Sequence, residues 1–96
     1  MRYLIDIDGT VLTQMAPGAY DKAKPLKGAK EKINAAYDNG HQIVFYTSRS
    51  FKYMQETYEQ LRGFGFKFHH IAFNKPHGDR IIDDRAGFTS WEEIEL

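Results

Sequence analysis

The sequence predicts an α/β fold, a small three-layer α/β/α domain with a mostly parallel sheet of about four strands. Short apolar runs alternate along the chain with segments in which apolar residues recur at helical spacing. Each apolar run ends abruptly in hydroxyl-bearing or charged residues. The chain has 96 residues, 42% of them hydrophobic, which is enough for one domain with its own core. We therefore expect a single domain over residues 1–96.

The first predicted strand, Tyr3-Leu4-Ile5, runs directly into two carboxylates, Asp6 and Asp8. An apolar run of this kind is typical of a strand buried on both faces. A carboxylate does not belong inside such a strand unless it is paired or binds a metal. We therefore expect the strand to end at Asp6, with both acids in a crevice at its carboxyl end and Gly9 turning the backbone away. The alternative is a simple Asp-Gly-Thr turn, but the second acid favours a site.

Residues 11–25 follow, with a Pro-Gly turn at residues 17–18, and are predicted to form a short hairpin or flap over the crevice. The lysines of the next stretch are predicted to form a solvated helix face rather than an anion-binding patch: Lys22, Lys24, Lys27, Lys30 and Lys32. Apolar residues at helical spacing predict a first helix over residues 26–39. Pro25 suits its start, and the Asn39-Gly40 pair suits a left-handed stop.

The middle of the chain repeats this strand-and-helix pattern. Residues 42–46 are predicted to form a second buried strand, which ends in Thr47 and Ser48. Ser50 is expected to cap a second helix that ends at the glycines of residues 63–65. One face of that helix is predicted to consist of Phe51, Met54, Tyr58 and Leu61.

Two more strands are predicted in the last third of the chain. One covers residues 70–73 and leads into Lys75. The other covers residues 80–82 and leads into Asp83 and Asp84. Ser90 and Glu93 stand at capping-box spacing, which predicts a short closing helix.

Ligands of parallel α/β sheets bind outside the carboxyl ends of the strands, so the polar strand ends are expected to share one crevice. Four carboxylates there would repel, since two unit charges 4 Å apart cost on the order of 4 kcal/mol at an effective dielectric near 20. A divalent cation relieves this repulsion, and an all-oxygen ligand set with room for water and phosphate favours Mg²⁺ over Ca²⁺. Together with the Lys75 ammonium and the Thr47 hydroxyl, such a site suits phosphoryl transfer.

The Asp6-Ile7-Asp8-Gly9-Thr10 segment, followed in order by Thr47, Lys75 and the Asp83-Asp84 pair, resembles the four motifs of the haloacid dehalogenase (HAD) superfamily. The resemblance implies a Rossmannoid fold and a phosphatase in which Asp6 is the nucleophile and Asp8 the general acid/base. Thr47 would hold the transferring phosphoryl group, and Lys75 would steady its charge. Mg²⁺ would be held by Asp6, the Asp8 carbonyl and one acid of the Asp83-Asp84 pair. The short gaps between the motifs imply a minimal member without a cap domain.

The stretch from Asn74 to Ala86 also resembles small phosphatases encoded with capsular-polysaccharide genes. That likeness implies a small phosphorylated substrate, such as a sugar phosphate or a nucleotide. Substrate contacts are expected from Gly9, Thr10, Ser48 and Arg49. Among the cations beside the motifs, each either binds remaining substrate charge or pairs at the surface: Arg49, Lys52 and Arg85. A substrate contact from His77 stays open, whereas surface roles are favoured for His69 and His70, since adjacent strand residues point to opposite faces.

The amino-acid composition limits the classes of partner that we expect for this protein. The formal net charge is zero, which argues against nucleic acid and anionic membranes as partners. The chain contains no cysteine and no apolar run as long as a membrane span, and it begins with a strand rather than a leader. We therefore expect a cytoplasmic protein, with self-association left open.

Other functions compatible with these motifs are a polynucleotide 3′-phosphatase, a receiver-like phospho-accepting module and an inactive HAD-like binding protein. Receiver domains usually place an acidic pair at the first strand and the acceptor on a later one, the reverse of the order here.

Overall fold

A parallel sheet of three strands forms the centre of the fold. The structure, a computed structural model, describes residues 1–78, 82–83, 85 and 90–95. The strands are β1 (Arg2–Asp6), β2 (Gln42–Tyr46) and β3 (His70–Ala72), in the order β1-β2-β3. Asp6 lies opposite Tyr46, which lies opposite Ala72, so the carboxyl ends of all three strands meet at one edge. The predicted α/β class is confirmed, and its first three strands lie where the apolar runs are.

Two α-helices connect these strands: α1 (Ala29–Asp38) precedes β2, and α2 (Met54–Gly63) precedes β3. Ile33 of α1 and Leu61 of α2 share one core cluster with Ile43 and Phe45 of β2. Ile43 and Phe45 point to the same face of the strand, so both helices pack on that face. Right-handed crossovers in this strand order give the same result. The α-helices that the structure describes therefore lie on one face of the sheet.

The start of α1 differs from the prediction. The helix begins at Ala29 rather than at residue 26, because Gly28 takes a left-handed φ of 86° at the N-cap. Leu26, which helical spacing places in this helix, instead donates its backbone N–H to the Val11 carbonyl at 2.9 Å. Its contacts thus belong to the flap.

The start of α2 agrees with the prediction, but its buried face does not. A 3₁₀ turn, Phe51–Tyr53, leads into α2, and the Ser50 hydroxyl accepts from the Lys52 N–H at 3.3 Å. Leu61 is buried as predicted, whereas Phe51 is 58% exposed and Met54 39% exposed. Thr57 is buried in their place, because its hydroxyl accepts a hydrogen bond from Arg49.

Residues 11–25 form the predicted hairpin-like flap, and it is anchored in the core. Leu12 pairs antiparallel with Pro25, and the Thr13 N–H donates to the Lys24 carbonyl at 2.8 Å. Val11, Leu12 and Ala23 are fully buried, so the base of the flap is held by apolar packing. The five lysines of residues 22–32 are exposed as predicted, but only Lys30 and Lys32 lie on α1.

The C-terminal predictions fall partly on residues outside those described. Arg80 and Ile81 of the predicted fourth strand, and Asp84, lie outside them, while Ile82 carries no regular secondary structure. The closing helix is a single 3₁₀ turn, Trp91–Glu93, and the Ser90 side chain makes no capping hydrogen bond to it. Within the described ranges, no helix has the length and hydropathy needed to cross a bilayer.

Candidate active site

Asp6 is the last residue of β1, and both of its carboxylate oxygens accept hydrogen bonds. Oδ1 accepts from Lys75 Nζ at 3.1 Å, and Oδ2 accepts from Thr10 Oγ1 at 3.1 Å. The Asp6 side chain remains 36% exposed and lines a cleft of about 610 Å³. A cleft of this volume accommodates a small metabolite. Asp6 is therefore held in one orientation while still open to a ligand.

The tight turn after β1 presents Thr10 to Asp6. The Ile7 carbonyl accepts from three successive N–H groups, those of Thr10, Val11 and Leu12, at 3.1, 2.8 and 3.0 Å. Gly9 makes this possible with a φ of 86°, a conformation that other residues rarely adopt. The motif glycine thus turns the backbone, as expected.

Lys75 reaches Asp6 because the loops after β2 and β3 are joined. The Lys75 N–H donates to the Thr47 carbonyl at 2.9 Å, and the Asn74 N–H donates to the Arg49 carbonyl at 3.0 Å. Asn74 takes a left-handed φ of 59°, and its side-chain oxygen accepts from the Phe51 N–H at 3.2 Å. Asparagine tolerates this conformation better than most residues. The two loops, joined by these hydrogen bonds, therefore hold Lys75 at the cleft.

Asp8 forms an ion pair with Arg49, which is 1% exposed. Arg49 Nε donates to Asp8 Oδ2 at 3.0 Å, and Nη2 donates to Oδ1 at 2.9 Å. This bidentate geometry is the strongest arrangement of the two groups. The Asp8 side chain is only 12% exposed yet still borders the cleft. Of the two roles that the sequence left open for Arg49, the structure shows the ion pair, but inside the protein rather than at the surface, because a guanidinium that forms four hydrogen bonds satisfies its charge there.

Arg49 connects Asp8 to α2 and to the flap. Its Nη1 donates to Thr57 Oγ1 at 3.2 Å and to Gln60 Oε1 at 2.8 Å. The Gln60 amide in turn donates to the Tyr20 carbonyl at 2.6 Å, and the Arg49 guanidinium lies 4.2 Å from the centre of the Tyr20 ring. Burial raises the pKa of the Tyr20 phenol, and the Asp8 carboxylate adds to the shift. One polar network therefore joins the second motif acid to the flap.

The structure brings most of the predicted residues together at the sheet edge. Asp6, Asp8, Ser48 and Lys75 line the cleft, and Thr10 bonds to Asp6. Thr47 lies beside them but is fully buried, and its hydroxyl accepts from the Arg49 N–H at 3.1 Å. That hydroxyl keeps its own hydrogen for donation.

Of the predicted acidic pair, only Asp83 belongs to the described residues. Asp83 is exposed and accepts from the Arg85 N–H at 2.9 Å, and Asp84 lies outside the described residues. In the described ranges, no three His, Asp or Glu side chains are grouped as metal ligands. The oxygen donors at the cleft nevertheless fit Mg²⁺ in kind, since Asp6 offers a partly exposed carboxylate.

Several residues that border the cleft carried little or no signal in the sequence. The flap contributes Gln14, Met15 and Tyr20, and the approach to α2 contributes Tyr53. Their contacts depend on how the flap folds back, which local sequence does not encode. His77 lines the cleft, whereas His69 and His70 are exposed, as predicted, and His69 accepts from the Ile43 N–H at 3.0 Å.

Comparison with protein families gives one match, to the model of haloacid dehalogenase-like hydrolases, over residues 3–87. The match covers most of the chain and includes Asp6, Asp8, Thr47 and Lys75. This chain therefore belongs to the haloacid dehalogenase-like hydrolase family, as its motifs indicated. Comparisons with curated proteins and with solved structures gave no significant match.

Proposed function

We propose that the protein is a Mg²⁺-dependent phosphomonoesterase that acts through an aspartyl-phosphate on a small phosphorylated metabolite, such as a sugar phosphate or a nucleotide. The observation that carries this proposal is the setting of Asp6. One oxygen accepts from Lys75 and the other from Thr10, and the side chain is partly exposed in a cleft of metabolite size. A fixed, accessible carboxylate beside an ammonium group is suited to attack an anionic phosphorus centre.

In the first step, an Asp6 carboxylate oxygen attacks phosphorus, and the bond from phosphorus to the ester oxygen breaks. Asp8, which enters this step in its protonated form, gives its proton to the leaving alkoxide and so acts as the general acid. In the second step, Asp8 removes a proton from water as the water attacks the phosphorus of the acyl phosphate, which restores Asp6 and releases phosphate. Each Asp8 oxygen accepts one hydrogen bond from Arg49 and keeps a further lone pair for these transfers.

Lys75 serves as the cation that balances the phosphoryl charge during both steps. Its ammonium lies 3.1 Å from Asp6 Oδ1, so it contacts the group that carries the phosphoryl intermediate. Thr47 keeps its hydroxyl hydrogen for a phosphoryl oxygen, and Ser48 borders the cleft beside it. Asp6, the Asp8 carbonyl and one acid of the Asp83-Asp84 pair would hold Mg²⁺, which neutralises phosphate charge when bound.

The flap takes the place of a cap domain in this proposal. Between β1 and β2 the chain forms only the flap and α1, and between β2 and β3 it forms α2 with its 3₁₀ turn. The cleft therefore borders no inserted domain within residues 1–78, and flap residues such as Tyr20 form its wall. Selectivity then depends on the flap and on residues 48–53.

The test is a phosphatase screen over sugar phosphates, nucleotides and 3′-phosphorylated oligonucleotides in the presence of Mg²⁺. We expect hydrolysis of small phosphomonoesters, and a loss of about a thousand-fold or more in the Asp6→Asn variant. Asp38→Asn is the matched control, because Asp38 pairs with Lys67 at the surface, away from the cleft. Normal turnover by Asp6→Asn would exclude Asp6 as the nucleophile, and preference for the oligonucleotides would favour the polynucleotide 3′-phosphatase alternative.

A further inference from the structure

We propose that Lys52 is a specificity-determining residue, which binds a second anionic group, a phosphate or a carboxylate, on the phosphomonoester substrate. This inference rests on the proposed function and specifies the substrate class of the same cleft. Lys52 lines the cleft from the 3₁₀ turn Phe51–Tyr53.

The charges of the cleft leave Lys52 in excess. The Asp6 carboxylate is paired with Lys75, and the Asp8 carboxylate is paired with Arg49. In the part of the chain that the structure describes, no carboxylate lies within ion-pair distance of the Lys52 ammonium. Among the described residues that line the cleft, the two carboxylates are each paired, and the Lys52 ammonium is available to attract a second negative charge.

The position of Lys52 is fixed relative to the reaction end. The Ser50 hydroxyl accepts from the Lys52 N–H, and the Asn74 side chain accepts from the neighbouring Phe51 N–H at 3.2 Å. Asn74 directly precedes Lys75, so one residue sets the backbone that carries both lysines. The Lys52 backbone is therefore held at a set position relative to Lys75, which favours substrates whose second anion lies within reach of the Lys52 side chain.

An aromatic wall lies beside the ammonium group. The Lys52 Nζ lies 5.2 Å from the centre of the Tyr53 ring, and the Tyr53 ring meets that of Tyr20 edge to face at 5.2 Å. Both rings line the cleft, so the apolar middle of a substrate has a surface to pack on. The arrangement suits a substrate with an anion at each end and a sugar or other ring between them.

The experiment compares kcat/KM for three substrates: a hexose monophosphate, the phosphorylated sugar acid of the same length, and the hexose bisphosphate. We expect Lys52→Gln to lower the ratio of kcat/KM for substrates with two anionic groups to kcat/KM for the monophosphate by about tenfold, the effect of losing one charge-assisted hydrogen bond. The loss of kcat/KM should come mainly from a higher KM. Lys52→Arg should restore the wild-type ratio. Lys32→Gln, which removes an exposed lysine from α1, should leave the ratio unchanged.

The two substrates that carry a second anionic group distinguish a phosphate site from a carboxylate site, since the larger loss of kcat/KM identifies the group that Lys52 binds. An unchanged ratio in Lys52→Gln would overturn the proposal. If the wild-type protein hydrolyses neither these substrates nor the other small phosphomonoesters of the screen, the proposed function fails. The role of Lys52 is then decided by calorimetric binding of pyrophosphate against orthophosphate, in which Lys52→Gln should weaken pyrophosphate selectively, and equal weakening of both ions would reject it.

Discussion

The guanidinium of Arg49 holds the carboxylate of Asp8 through two hydrogen bonds, at 3.0 and 2.9 Å, across 41 residues of sequence. Arg49 is 1% exposed and the Asp8 side chain 12% exposed, so the pair is largely withdrawn from water. Thr57 and Gln60 occupy further donors of the same guanidinium. These contacts fix the orientation of the Asp8 side chain. An acid that acts beside Asp6 requires such a fixed orientation.

Replacing Arg49 with Met should destabilise the fold by about 3 kcal/mol, because it leaves the Asp8 carboxylate without its partner in a largely buried setting. Urea denaturation measures this change. The double variant Asp8→Asn/Arg49→Met should be more stable than the sum of the single losses predicts. Lys67→Met is the control, since it breaks an exposed pair with Asp38 and should cost at most about 1 kcal/mol. Equal losses of stability in Arg49→Met and Lys67→Met would contradict a special role for Arg49.

Gln60→Ala should release the flap as well as destabilise the fold. The Gln60 amide accepts from Arg49 and donates to the Tyr20 carbonyl at 2.6 Å, so its removal breaks both contacts at a cost of about 1–2 kcal/mol. Limited trypsin digestion should then cleave sooner after Lys22, which lies in the flap and is followed by Ala23. Gln55→Ala is the matched control, because Gln55 bonds only to Glu59 at the surface. Identical digestion of both variants would show that Gln60 does not hold the flap.

Tyr20 should make stability fall at alkaline pH. Burial and the nearby Asp8 carboxylate raise the pKa of its phenol above the ordinary value of 10.0. The folded protein then keeps a proton that the unfolded chain loses, so the free energy of unfolding should decrease as the pH rises from about 10 to the folded pKa. Tyr20→Phe keeps the ring over Arg49 but lacks this proton, and its stability should fall less steeply over the same window. Parallel curves of unfolding free energy against pH for the wild type and Tyr20→Phe would refute the raised pKa of Tyr20.

Magnesium should stabilise the protein through Asp6. If Mg²⁺ binds at the cleft, a saturating concentration should raise the melting temperature by about 5 °C relative to EDTA, since it binds only the folded state. Asp6→Asn should abolish this shift, and Asp38→Asn should retain it, because Asp38 lies in a surface pair. A shift that survives Asp6→Asn would place the metal elsewhere.

The sequence predicted the strands, and the shared position of the motif residues at one sheet edge, better than it predicted the packing around them. Apolar runs predicted β1 and β2. Because the carboxyl ends of parallel strands meet at one edge, the sequence also predicted that Asp6 and Lys75 lie together. Arg49 was misjudged because its partner Asp8 is distant in sequence and an arginine gives no local sign of burial. Leu26 has helical spacing, yet its pairing with Val11 in the flap delays the start of α1. Such contacts exist only once the chain has folded.

The central claim, that Asp6 forms a covalent phosphoenzyme, is tested most directly by trapping that intermediate. The protein is mixed with substrate and Mg²⁺, quenched in acid within one turnover and reduced with borohydride, which converts an aspartyl-phosphate to homoserine. Peptide mapping by mass spectrometry then locates the change. We expect homoserine at position 6 in the wild-type protein and none in Asp6→Asn. Turnover with an unmodified Asp6, or homoserine at Asp8 instead, would contradict the account.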